Sequence, residues 1–123
     1  MYLRDATLSD RDQVVALWKA AGLVVDHNPP FEDFDRALAH PQSAVLVGEE
    51  NQTIIAACMV GDDGHRGRVY YLGVDPERRG QGLGREMMNA ASAWFLGRGL
   101  RKAQLMVRPN NHKVIGFYES IDW

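Results

Sequence analysis

Apolar positions along the chain fall first at helical spacing and then in strand-like runs. Val14, Leu17, Trp18 and Ala21 share one helical face, with Thr7 or Ser9 and the acidic Asp10 and Asp12 at its start and Gly22 at its end. Tyr2-Leu3-Arg4 reads as a short strand before it. Asn28-Pro29-Pro30 reads as a loop, followed by a short helix with Phe31, Phe34 and Leu38 on one face and His40-Pro41 as its stop. Ala44 to Gly48 and Thr53 to Val60 are apolar runs rich in β-branched residues, joined by an Asn51-Gln52 turn. A polar loop, Gly61 to Gly67, leads to a strand from Val69 to Val74, broken near its end by Gly73. A long helix from about Gly82 to Arg98 buries Met87, Met88, Ala91, Trp94 and Phe95, and Gly97 and Gly99 mark its end. Ala103 to Val107 predicts a last strand, and Val114 to about Ile121 a last helix.

This order predicts a mixed α/β fold: helices, an antiparallel meander, then strand-helix-strand-helix. The strand-helix-strand unit needs a crossover, so Val69–Val74 and Ala103–Val107 are expected to be parallel neighbours. No repeat or linker divides the 123 residues, and the whole chain is read as one domain.

Composition changes this picture little, mainly by exclusion. A hydrophobic share of 46 % and a charged share of 24 % are ordinary for a globular protein, and a net charge of −2 gives no footprint for nucleic acid or an anionic membrane. No apolar run is long enough to span a bilayer, and no signal peptide is visible. Cys58 stands alone, which excludes an internal disulfide and fits a cytoplasmic setting; it is expected to be buried packing. His27, His40, His65 and His112 are widely spaced, so no metal is expected.

The chemistry concentrates in Arg79-Gly80-Gln81-Gly82-Leu83-Gly84, glycines that follow a strand and open a helix. Backbone N–H groups at a helix start lack intrahelical partners and lie at the positive end of the dipole, so bare glycines let them close around a diphosphate. The same residues also suit a plain tight turn. Arg78, Arg79 and Arg85 add positive charge. A P-loop requires Gly-Lys-Ser or Gly-Lys-Thr, but Arg85-Glu86 follows here. A dinucleotide fingerprint requires G-x-G-x-x-G, but the spacing is G-x-G-x-G.

The run Val74-Asp75-Pro76-Glu77-Arg78-Arg79-Gly80-Gln81-Gly82-Leu83-Gly84 resembles the acetyl-CoA motif of the GNAT superfamily of N-acetyltransferases, with Arg79, Gly82 and Gly84 as its core. Asn111-His112-Lys113-Val114-Ile115-Gly116-Phe117-Tyr118-Glu119-Ser120 resembles that family's second element at the expected separation. The segment from Gly61 to Val74 looks like the small bacterial acetyltransferases described as YpeA-like. The resemblance implies transfer of the acetyl group of acetyl-CoA, a cosubstrate, to a primary amine in a ternary complex. It also implies a splayed parallel strand pair with the pantetheine arm lying along Leu72, Gly73 and Val74. Arg79, Gly80, Gln81, Gly82, Leu83, Gly84, Arg85 and Asn111 would bind the cofactor, and Tyr118 would be the general acid that protonates the departing thiolate.

Other roles are set by chemistry and position. A lysine-like amine must lose a proton before it attacks, and Asp62, Asp63 and His65 near the central strand are the candidate acceptors, with water as the alternative. The glutamate that some relatives carry before a V-R-x-x-N stretch is replaced by Met106 ahead of Val107-Arg108-Pro109-Asn110-Asn111. Trp18, Asn28, Phe31 and Arg66 are the candidate acceptor-binding residues, although Trp18 also suits a core position. The acceptor class spans small molecules, protein N-termini and lysines.

Two departures from the family pattern stand out. Asp122-Trp123 replaces the usual Gly-Phe, and the closing strands are missing, so a truncated chain, or a homodimer that covers the open sheet edge, is expected. The non-catalytic alternative is an acetyl-CoA-binding regulatory module; a structural interaction domain is the third reading.

Overall fold

A computed structural model of the chain describes residues 1–24 and 29–105. β1 (Tyr2–Asp5) is followed by a 3-10 turn at Leu8–Asp10 and by α1 (Arg11–Ala20). α2 (Pro30–Ala39) precedes three strands, β2 (Ser43–Glu50), β3 (Thr53–Asp62) and β4 (Gly67–Val74). α3 (Leu83–Gly97) then leads to β5 (Ala103–Leu105). The strands form one sheet in the order β1-β2-β3-β4-β5, antiparallel except for the parallel β4–β5 pair. The mixed α/β fold and its crossover thus follow the sequence reading. The expected helix from Val114 to Ile121 lies outside the described residues, as do the last residues of the expected final strand.

Side-chain alternation along the strands makes two cores. Val45, Val47, Ile54 and Ala57 pack against Val14, Leu17, Trp18 and Phe34 of α1 and α2. Leu46, Ala56, Cys58, Val60 and Val69 pack on the other face against Met87, Met88, Ala91 and Phe95 of α3. A half-buried strand places alternate residues on opposite faces, and here both faces are covered, so the strands read as continuous apolar runs. Cys58 is fully buried, as expected, and burial pushes its thiol up to about 12.

Several boundaries moved for local physical reasons. Pro30, expected in a loop, is the first residue of α2, where its missing N–H costs nothing. Asn51 and Gln52 both take positive φ (52° and 66°), the two-residue turn whose twist matches a hairpin. β3 runs on to Asp62 and β4 starts at Gly67, which shortens the expected loop. Phe31 sits on the outer side of α2 beneath the cations of Arg11 and Lys19 instead of joining Phe34 in the core. Trp94 is only partly buried, with the Arg98 guanidinium 4.6 Å from its ring centre.

The first strand is tied to the first helix by charge. Arg4 donates to both Asp10 oxygens at 2.8 and 3.0 Å and to Glu49 at 3.2 and 3.3 Å, and Asp10 also accepts the Thr7 N–H at 2.8 Å. Held by these bonds, Arg4 foremost, the buried Asp10 carboxyl drops from 3.8 to about 2. A depressed carboxylate stabilises the fold above its unfolded value of about 4 and ceases to do so as pH falls through about 2, a contribution on the order of 2 kcal/mol. Asp10→Asn is therefore expected to lower urea stability clearly near neutrality and much less near pH ~2. Equal deficits at the two pH values would contradict this linkage.

Candidate functional site

The glycine turn caps the end of β4 and opens α3. Asp75 accepts the Glu77 N–H at 3.0 Å and shapes a 3-10 turn at Pro76–Arg78, after which Arg79, Gly80, Gln81 and Gly82 are exposed. Gly82 is the residue before the helix, at φ 78°, and the Glu86 N–H is bonded to its carbonyl at 3.1 Å. The N–H groups of Leu83, Gly84 and Arg85 fall in the first turn of α3, where the helix supplies no acceptor. Among the described residues, neither Gly80 nor Gly82 has any atom within 4 Å of where a Cβ would stand. Arg78 is paired with Glu50 at 2.8 Å, whereas Arg79 and Arg85 form no ion pair among the described residues. Among the described residues the turn therefore offers first-turn amides that the helix does not satisfy, two guanidinium groups without an ion pair and open space, a combination suited to an anion.

The strand leading to the turn is irregular in its middle. Register shifts between Ala57↔Gly73 and Met59↔Tyr70, so two β4 residues, Tyr71 and Leu72, oppose Cys58 alone. A glycine inside a strand suits either a bulge or a close approach; the bulge is carried by Tyr71, at φ 54°. Gly73 serves a different need, since a Cβ there would press on Trp18 and Leu23 at 3.2 Å and Ala21 at 3.4 Å. Positive φ is costly for a tyrosine and persists only where the surroundings hold it. Two contacts do so: the Tyr71 ring stacks on Trp18 at 4.5 Å, and its hydroxyl donates to Asp33 of α2 at 2.7 Å. Burial, together with the Asp33 carboxylate, pushes the Tyr71 phenol up, so it stays protonated.

Leu72 and Val74 turn their side chains to the α3 core. The described β4–β5 pairing runs from Gly67–Ala103 to Val69–Leu105. Among the described residues, Tyr70 to Val74 have no strand partner on that side. That stretch spans about 13 Å, and it connects the bulge to the glycine turn.

Beside the bulge lies a groove of about 330 Å³ between α2 and the β3–β4 hairpin. Asp33, Arg36 and Ala37 line its helix side; Met59, Arg68 and Tyr70 line its sheet side. The hairpin tip is built by Asp63, whose Oδ1 accepts the N–H groups of His65 and Arg66 at 2.9 and 2.7 Å, while Oδ2 accepts Arg68 Nε at 3.3 Å. The Arg66 and His65 amides, foremost, hold its carboxyl below the usual range. Asp63 thus shapes the turn, with its oxygens engaged and its basicity reduced. Asp62 is also committed, to Arg98 at 3.1 Å and to the Gly64 N–H at 2.8 Å. His65 is exposed, and its ring makes no hydrogen bond among the described residues.

Of the two positions the sequence allows Trp18, pocket wall or core, it takes the core. Its ring has no exposed surface, packing between Phe34 and Tyr71, so it supports the site from within the core instead of lining it. Its indole N–H has no acceptor among the described residues. Arg66 stands in the hairpin loop, and Phe31 is on the outer face of α2. Asn28, Asn111 and Tyr118 lie outside the described residues. Sequence reasoning missed the Tyr71–Asp33 pair: the only available signal, two adjacent tyrosines in an alternating strand, does not reveal that a bulge turns both to one face. Among the described residues no group of three His, Cys, Asp or Glu side chains could hold a metal ion, and no helix is long and apolar enough to cross a membrane.

The chain is similar to known proteins over nearly all its length. The model of the acetyltransferase (GNAT) family matches residues 11–123. A Yersinia pestis (strain Pestoides F) protein named acetyltransferase is 39 % identical over 123 residues, covering 100 % of this chain and 87 % of the relative. Among solved structures, AAC(6')-Iy, in complex with the bisubstrate analogue CoA-S-monomethyl-acetylneamine, superposes with a TM-score of 0.86 at 15 % identity, covering 99 % of this chain and 89 % of that one. A predicted acetyltransferase from Clostridium acetobutylicum, solved with acetyl-CoA, gives a TM-score of 0.78 at 19 % identity, covering 99 % and 88 %.

Proposed function

The chain belongs to the acetyltransferase (GNAT) family, and from that premise we propose that it is an enzyme that transfers the acetyl group of acetyl-CoA to a primary amine. The observation that carries this reading is the open glycine turn at the head of α3, joined by the irregular half of β4 to the groove on the opposite face. Arg79 to Arg85 take the pyrophosphate on backbone amides and guanidinium charge, with Asn111 as a further contact. The arm of the cosubstrate lies along the main chain of Leu72, Gly73 and Val74, which brings the thioester to the bulge.

The amine nitrogen attacks the thioester carbon, the C–S bond breaks, and the Tyr118 hydroxyl donates its proton to the CoA sulfur. The proton released from the amine leaves through water, with His65 at the exposed hairpin tip as its acceptor. Acceptor contacts from Asn28, Phe31 and Arg66 belong to the same reading, as do a cytoplasmic setting and a homodimeric state. A small-molecule amine fits the volume of the groove better than an extended polypeptide.

Initial rates of CoA release, measured while acetyl-CoA and an amine are both varied, test the mechanism. Intersecting double-reciprocal lines are expected for a ternary complex. Parallel lines would indicate an acetylated enzyme and contradict direct attack.

A further inference from the structure

Asp33 and Arg36 stand one turn apart on α2 and both line the groove. Opposite charges at that spacing commonly pair with each other, yet no ion pair joins these two, and among the described residues neither has any other ionic partner. Asp33 has only the neutral Tyr71 hydroxyl, at 2.7 Å. Of the other acidic and basic residues lining the groove, Asp62 pairs with Arg98 and Asp63 with Arg68, and His40 stands at its helix end. What remains is one carboxylate next to the bulge and one guanidinium farther along the same helix, both lining a cleft of about 330 Å³ whose other walls mix apolar residues (Ala37, Met59, Tyr70) with polar ones (His40, Gln42, Ser43).

We propose that this groove is selective for small amines that carry a carboxylate, with Asp33 receiving the ammonium end beside Tyr71 and Arg36 receiving the carboxylate. The proposal rests on the acetyltransferase reading and adds its acceptor class. A planar guanidinium matches a carboxylate through two parallel bonds, whereas Asp33 accepts from an ammonium and keeps it next to the strand along which the thioester is delivered. The amine then sheds its proton before attack, so Asp33 binds and orients the substrate.

Calorimetry on the full chain, with and without bound CoA, tests this. The probes are glycine, γ-aminobutyrate and ε-aminohexanoate, each compared with the alkylamine of the same chain. At least one carboxylated probe is expected to bind about tenfold or more tighter than its alkylamine. Arg36→Gln should bring that ratio down to about twofold or less, Arg36→Lys should retain part of it, and Asp33→Asn should weaken both members of the pair. No carboxylate preference at any length, no binding of any probe, or a preference that survives Arg36→Gln would overturn the proposal. Titration of the same samples with acetyl-CoA reports separately on the donor site: failure there would strike the enzymatic reading, and the probes without CoA would still decide the groove.

Discussion

Gly82→Trp is expected to weaken acetyl-CoA binding by about 100-fold or more, a loss of roughly 2.7 kcal/mol, while the protein stays folded. Gly82 sits at φ 78° immediately before α3, and the space where its side chain would be is open. An indole there would fill the volume in which the diphosphate meets the first amides of the helix. The backbone cost of a non-glycine residue in this conformation is about 1–2 kcal/mol, enough to lower the melting temperature by several degrees but not to unfold a domain of this size. Gly99→Trp is the matched control. Gly99 has φ 79° and equally open surroundings, but it lies at the far end of α3. It should cost similar stability and leave acetyl-CoA affinity intact. Equal loss of affinity in both variants would mean that strain, and not occupation of the cradle, was responsible.

Tyr118→Phe is expected to lower kcat by about 100-fold or more when chemistry limits turnover, in line with the loss of a positioned proton donor. Its effect on the KM for acetyl-CoA should be small, because the hydroxyl is needed when the thiolate departs and not when the cosubstrate binds. The assignment rests on the Asn111/Tyr118 motif. An unchanged rate would remove the general acid and leave the phosphate cradle untouched.

What the sequence disclosed, and what it did not, divides along physical lines. The meander and the long helix were legible because their apolar positions obey a single period and their turns are marked by Asn51-Gln52 and by glycines. The parallel β4–β5 pair followed from connectivity alone, since a helix of that length between two strands permits a crossover. The glycine turn, which suits a phosphate cradle or a plain tight turn, gains its reading as a CoA site only once the second motif, further along the chain, is set beside it.

Where the sequence leaves alternatives open, tertiary packing decides between them. A glycine inside a strand suits a bulge or a close approach; Gly73 meets a close approach, and Tyr71 carries the bulge, secured by Trp18 and Asp33 from two other elements. The period of Trp18 along α1 suits the core as well as a pocket wall, and the core is where it lies. Nothing in the sequence around Asp63 announces that its oxygens close the turn that presents the hairpin. The groove itself was illegible because its walls come from α2 and the β3–β4 hairpin, with a whole strand between them in the chain, and nothing in either segment announces the other.

Calorimetric titration of the wild-type chain with acetyl-CoA tests the central claim most directly. One site per chain is expected, with an affinity in the micromolar range, about −8 kcal/mol, lost in Gly82→Trp and kept in Gly99→Trp. Absence of binding at near-millimolar acetyl-CoA by a folded wild-type protein would contradict it.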